Sequence, residues 1–328
     1  MKLAKNKLNR DFIAILYQHY PQLKDLANFL IDVLDMGKES VYRRLRNEVA
    51  FSFDEIAAIA LALNVSLDKF IGSNTNRVYL EMQMHEIKEH EELYVEIISS
   101  NIRSIQKMSD QNALGVYSAL NRLPFGYTLA GKKYAKFYYY KWLYHTLKGA
   151  MKTNFSDFIL PASIQNIQEE FIKVSNSTKC EMSIIFDENI FLYSIREFNY
   201  FRKRGLINDE DTQQIQAELN RIVEAMEYST RTGENGLGAN IRIYLSLVDV
   251  EPNVSYVSYP EPELCTFNIW SPAGDIVTTT NPEFCRRQKE WLDSMARYTT
   301  LITQCNEKEQ IEFFNKQREY IANMTNNL

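Results

Sequence analysis

Apolar residues change their spacing along the chain, and each change marks a different kind of element. Up to Gly72 they recur at threes and fours in short runs, the period of helices with one buried face. Phe12, Ile15, Leu16 and Tyr20 predict a first helix that stops before Pro21, whose ring disfavours helical geometry in the preceding residue. Leu23, Leu26, Ala27, Leu30, Ile31 and Leu34 predict a second helix with a broad apolar stripe. Asp35-Met36-Gly37 reads as a turn and Lys38 to Arg46 as a third helix. Ser52, with Glu55 one turn later, forms a capping box that opens a fourth helix through Ile56, Ile59, Ala60 and Leu63. Ser66 caps a short fifth carrying Leu67, Phe70 and Ile71, and Gly72 stops it.

After a polar stretch, Ser73-Asn74-Thr75-Asn76, that reads as a linker, the helical period lengthens. Leu80, Met84, Ile87, Tyr94, Ile98, Ile102 and Ile105 predict one long helix. Its stripe suits either a dimer seam or packing inside its own chain, the second being the commoner fate. Lys132 to Lys152 places Phe137, Tyr140, Tyr144, Leu147 and Met151 on one strip and Tyr134, Tyr138 and Trp142 on another. The lysines among these aromatics leave three readings open: a stacking platform for single-stranded nucleic acid, an interfacial helix, or a core helix with snorkelling lysines. Apolar residues on both sides favour the core, with a pocket lined by tyrosine hydroxyls as the minority case. Further helices are expected over Ser163 to Val174, Glu188 to Lys203 and Asp209 to Tyr228.

Past the loop Thr232 to Gly238 the period becomes two. Ile241, Ile243, Leu245 and Leu247 alternate with Arg242, Tyr244 and Ser246, the pattern of a half-buried strand. Val254 to Tyr259, Leu264 to Trp270 and Ile276 to Thr280 continue it, and the short turns between them favour an antiparallel meander. Asn281-Pro282 then starts a helix with the face Phe284, Trp291, Met295, Tyr298 and Ile302. A last helix carries Ile311, Phe314, Ile321 and Met324. The expected fold class is mainly α: a small five-helix domain, then a larger helical domain carrying a small antiparallel β-meander near the C-terminus.

Composition narrows the function. A net charge of -5 excludes a positive coat over the whole chain and leaves room for a local patch. Up to Gly72 ten Lys and Arg stand against nine Asp and Glu, 10 − 9 = +1, yet between Lys38 and Arg46 the count is four to one. Cys180, Cys265, Cys285 and Cys305 form no CxxC pair and have no close His, which fits reduced thiols better than zinc. His85 and His90 stand roughly 140° apart around a helix and cannot share one ion. The apolar run Ile56 to Leu63 is too short to span a bilayer and the start lacks a secretory core, so a cytoplasmic protein without membrane contact is expected. The glycine loop at Thr232 to Gly238 precedes a strand, where a dinucleotide fingerprint must follow one. Glu261, Glu263 and Asp275 sit in turns, where acids are ordinarily just solvated. With no carboxylate pair, Ser/His/Asp set or phosphate loop, neither an enzyme, a cofactor nor a metal is expected.

Gly37 to Glu48, GKESVYRRLRNE, is where residue type and spacing ask for one chemistry. As a helix it puts Val41 and Leu45 on one face and Glu39, Arg43 and Arg46 on the opposite one, with Tyr42 at the margin. The planar fork of Arg engages both guanine edges and phosphates. The plain alternative is a solvated charged face. Together with the helix before it, the run LIDVLDMGKESVYRRLRNEVAFSFDEIAAIALALNVSLDKFIG, Leu30 to Gly72, resembles the Cro/cI-type, lambda-repressor-like helix-turn-helix family. The resemblance implies a five-helix DNA-binding domain whose second helix braces a third in the major groove. It implies that Val41 is the buried aliphatic, that Lys38, Glu39, Ser40 and Arg43 face the groove, and that Tyr42, Arg44 and Arg46 meet phosphates or groove edges. Two positions depart from the family pattern: Ile31 stands where a small residue is usual, and Asp35 where the turn glycine is usual.

The expected organisation is a DNA-binding domain over residues 1–72, a linker over 73–78, and a helical plus small-sheet region over 79–328 for dimerisation and effector sensing. The expected function is sequence-specific transcription regulation on double-stranded DNA by a homodimer, with a small molecule or protein as effector. Dimerisation follows because one recognition helix reads few base pairs. The alternative is an immunity- or antitoxin-like protein-interaction module that uses the same fold as a docking surface.

Overall fold

The computed structural model describes residues 7–63, 78–82, 89–147, 151, 153–235, 239–251, 253–261, 263–271 and 274–325. The expected fifth helix at Ser66 to Gly72, the linker residues Ser73 to Asn76, and His85 lie outside them. The chain divides into two compact units, Met1–Tyr79 and Leu80–Leu328.

In the first unit, α1 (Lys7–His19), α2 (Leu23–Leu34), α3 (Lys38–Leu45) and α4 (Phe53–Leu63) form where the threes-and-fours spacing predicts them. Their shared core joins Phe12, Ile13 and Leu16 of α1, Leu26, Ala27 and Leu30 of α2, Val41 and Leu45 of α3, and Ile59 of α4. Phe51, between α3 and α4, sets its ring edge-on to Phe12 at 5.4 Å. In α1 it is Ile13, not Ile15, that takes the buried place. α2 ends on Asp35, whose φ of 48 and ψ of 46 are left-handed. A short polar side chain tolerates that conformation better than most, so Asp can end the helix here without glycine. The capping box is present: Glu55 N donates to Ser52 Oγ at 3.2 Å and Ser52 N to Glu55 Oε2 at 3.0 Å. Buried Asn9 donates to Asn47 Oδ1 at 2.6 Å and accepts from Phe51 N at 3.0 Å, which ties α1 to the chain behind α3.

The second unit is built on a mixed sheet. Among the described residues its strands are β1 (Glu81–Met82), β2 (Gly115–Leu120), β3 (Glu181–Asp187), β4 (Ile241–Ser246), β5 (Val254–Ser258), β6 (Cys265–Trp270), β7 (Ile276–Thr279) and β8 (Thr299–Leu301). They lie in the order β1-β7-β6-β5-β2-β3-β4-β8. This corrects the expected small meander near the C-terminus. β5, β6 and β7 are antiparallel neighbours, but β4 pairs parallel with β3, β3 pairs parallel with β2, and β2 stands between β3 and β5. The sequences of β2 and β3, GVYSAL and EMSIIFD, run through the centre of the sheet with neighbours on both sides. Such strands carry short apolar runs in place of two-residue alternation, and a run of that length does not distinguish strand from helix.

The helix expected from Leu80 is corrected as well. Glu81 and Met82 pair with β7, and the helix, α5, spans His90–Asp110. Its Tyr94, Ile98 and Ile102 pack within their own unit against α6 (Phe125–Leu129), α7 (Lys132–Thr146) and α8 (Ala162–Ser177). That stripe is therefore spent inside the chain. α9 (Ile190–Lys203) and α10 (Asp209–Thr232) follow β3, separated by Gly205 at φ 70 and by the N-cap Asn208, which accepts from Asp211 N at 2.7 Å. α11 (Pro282–Ala296) starts at the expected cap, Asn281 accepting from Phe284 N at 2.9 Å, and α12 (Glu307–Ala322) closes the unit.

Helices cover both faces of the sheet. One face presents Ile184, Phe186, Ile241, Ile243 and Leu245 to α7, α9, α10 and α12. The other presents Ala119, Ile185, Val254 and Phe267 to Cys285 and Leu292 of α11. α7 is buried on two sides, sending Phe137, Tyr140 and Tyr144 to the first core and Ala135 and Tyr139 towards α5 and α8. Two of its lysine amines lie on aromatic faces, Lys136 at 4.4 Å from the Phe155 ring centre and Lys141 at 3.9 Å from that of Tyr138, and a third, Lys133, pairs with Asp211 at 2.6 Å. Of the three readings of this aromatic and cationic helix, the structure supports the core. Leu247 lies beyond the end of β4 and is 75% exposed. α11 ends at Ala296, so Tyr298 and Ile302 do not continue its stripe, and Trp291 stays 48% exposed.

Candidate nucleic-acid interface

α3 is a short helix anchored from one side. Val41 is fully buried and Leu45 nearly so, and full burial of such side chains stabilises by about 1.5–3 kcal/mol each. Lys38, Glu39, Ser40, Arg43 and Arg46 are exposed, while Tyr42 and Arg44 are half-buried at the margins. At the helix start, a Cβ built on Gly37 would meet no heavy atom within 4 Å, so the N-terminal turn stands open.

The arginines divide by their partners and exposure. Arg44 Nε and Nη2 donate to Glu55 Oε2 and Oε1 at 2.8 and 2.7 Å, and the two side chains are only 16% and 14% exposed. The hydrogen bond from Arg44 holds the Glu55 carboxyl below its ordinary range, and Glu55 in turn raises the guanidinium. Glu55 thus caps α4 and clamps α3 to it. Arg44, expected at phosphates or groove edges, has its fork committed to this clamp.

Arg43 and Arg46 project further and share Glu48. Arg46 Nε donates to Glu48 Oε1 at 2.7 Å and its Nη2 to Glu39 Oε1 at 3.1 Å, and these bonds raise the guanidinium above its ordinary value. Arg43 Nε lies 3.6 Å from Glu48 Oε2. The Lys38 amine stands 5.8 Å from the Tyr42 ring centre. Exposed pairs of this kind are weak because water screens them, so a phosphate can displace their carboxylates at little cost. Glu48 and Glu55 are the residues that sequence spacing misses as arginine partners. Glu55 is visible as a cap, but its pairing with Arg44 bridges two helices and leaves no periodic trace.

Elsewhere the expected weak candidates stay apart. Glu261 and Glu263 are exposed in their turn and Asp275 is half-buried in another. Cys180, Cys265 and Cys285 are buried free thiols and Cys305 is exposed; burial pushes the Cys285 thiol up to about 12. Among the described residues no three His, Cys, Asp or Glu side chains converge as a metal site, and no helix is long and apolar enough to cross a membrane. Comparison with protein-family models, curated proteins and solved structures finds no match to this chain.

Proposed function

We propose that this chain is a cytoplasmic, sequence-specific DNA-binding transcription regulator of the Cro/cI-type helix-turn-helix kind. It works as a homodimer, and its larger unit serves pairing and effector sensing. The observation that supports this most is the build of α3: Val41, Leu45 and the Arg44–Glu55 clamp fix its inner side, while Lys38, Glu39, Ser40, Arg43 and Arg46 stand on the outer side. A helix held rigidly with cations and hydrogen-bonding groups outward is what base-edge readout requires. Anisotropy titrations on duplex DNA across a range of salt test the proposal. Affinity should fall steeply with salt, with a residual preference among sequences at high salt.

The second reading is a protein-docking module. It is favoured by Glu39 and Glu48, which neutralise part of the arginine face of α3 from within. A shallow salt slope on DNA together with a stable protein partner would select it.

A further inference from the structure

At the carboxyl end of β2, between the sheet and α11, a cavity of about 360 Å³ opens to solvent, lined by Glu251, Val254, Phe267, Arg287, Gln288 and Trp291. That volume falls at the small end of ligand sites, about 300–1,000 Å³. Val254 and Phe267 make a buried apolar floor, and Trp291 adds a half-exposed wall.

The charges in this cavity are opposite and unspent. On α11, Arg286 pairs with Glu290 at 2.6 Å and Lys289 with Asp293 at 2.5 Å, each with the carboxylate one turn further on. One turn beyond Arg287 stands Trp291 instead, and among the described residues Arg287 forms no ion pair; neither does Glu251. The loop carrying Glu251 is pinned by polar groups from the strand ends. Val250 N donates to buried Asp187 Oδ2 at 3.0 Å, Asn121 Nδ2 donates to the carbonyls of Val250 at 2.7 Å and of Glu251, and Asn121 N donates to Asn253 Oδ1 at 2.8 Å. A carboxylate on a loop whose backbone is fixed and a guanidinium on a helix therefore line one small apolar-floored space, so that the backbone on both sides is ordered before binding.

We propose that this cavity binds a free α-amino acid with a large apolar side chain. Arg287 receives its carboxylate through the guanidinium fork, Glu251 its ammonium, and Val254, Phe267 and Trp291 its side chain. A simple anion would leave Glu251 opposing it, and a simple cation would leave Arg287 doing so; a zwitterion satisfies both. The proposal goes beyond the DNA reading and does not depend on it, since binding is measured without DNA.

The test is isothermal titration of the full chain with L-phenylalanine, phenylacetate and phenethylamine, the last two lacking one charge each. L-Phenylalanine should bind in the millimolar range or tighter, and each analogue about tenfold or more weaker. Arg287→Gln should weaken L-phenylalanine by about tenfold or more, and Glu251→Gln should bring it to the level of phenylacetate. Trp291→Ala should weaken every ligand. Arg287 and Glu251 are exposed, so their variants should keep the parent circular dichroism spectrum. The proposal is overturned if phenylalanine, tryptophan, leucine and methionine all give no heat at millimolar concentration. It is overturned equally if phenylacetate matches phenylalanine, or if Arg287→Gln binds as the parent does.

Discussion

Glu55 joins two elements through one carboxylate, and replacing it separates their energies. Glu55→Gln keeps the side chain's shape and its ability to serve in the capping box, but it removes the charge that Arg44 engages at 2.7 and 2.8 Å. Hydrogen bonds to charged groups contribute about 1.5–3 kcal/mol, and Arg44 at 16% exposure has little water to replace them, so Glu55→Gln should destabilise α3 and α4 by about that much. Glu55→Ala also loses the bond from Ser52 N, while Ser52 Oγ still caps Glu55 N, and should cost about 1 kcal/mol more. Amide hydrogen exchange of the segments covering residues 38–63, measured in the full chain, reports these local energies. A cycle with Arg44→Met should return a coupling of about 1–3 kcal/mol. The pH dependence has a definite sign. Because Arg44 lowers the folded-state pKa of Glu55, the stabilisation is complete above the unfolded value, about 4.3, and disappears as pH falls through the lowered folded value. The Gln variant should lack this dependence. A loss under about 0.5 kcal/mol in Glu55→Gln, or no coupling to Arg44, would refute the clamp.

Arg43→Ala should cost about 1–3 kcal/mol on the preferred DNA and relax base choice, whereas Arg46→Ala should weaken all sequences alike and reduce the salt slope by about 1, both read by anisotropy. At Asp35, with φ of 48, glycine should be neutral or stabilise by up to about 1 kcal/mol and valine should destabilise by about 1–2 kcal/mol, as urea melts will show. Buried Asp187 accepts from Asn189 N at 2.8 Å and Val250 N at 3.0 Å, so Asp187→Ala should destabilise the larger unit by about 1–3 kcal/mol and speed exchange in residues 247–251.

What could be read from residue order follows from how local each cause is. α1 to α4 were legible because their burial repeats within a turn or two, as with Leu26 and Leu30 or Val41 and Leu45, and because the caps at Ser52 and Asn281 act over three residues. The centre of the sheet was not, since Ala119 of β2 meets Val254 of β5 on one side and Ile185 of β3 on the other, and no periodic pattern records partners so far away in the chain. The outer face of α3 was legible as residue types, but the loss of Arg44 to the inner side was not: Glu55 reaches it from the next helix. The cavity under α11 left no trace either. Its six side chains come from a loop, two strands and a helix, and its distinguishing feature is an ion pair that Arg287 does not make among the described residues.

Selection of bound duplexes from a randomised DNA pool by the full chain asks most directly whether α3 reads sequence. Enrichment of one motif is predicted, repeated as two symmetric half-sites about one helical turn, or a multiple of it, apart, with Arg43→Ala blurring defined positions in each half. A pool that emerges with no enriched sequence would contradict regulation through sequence-specific DNA binding.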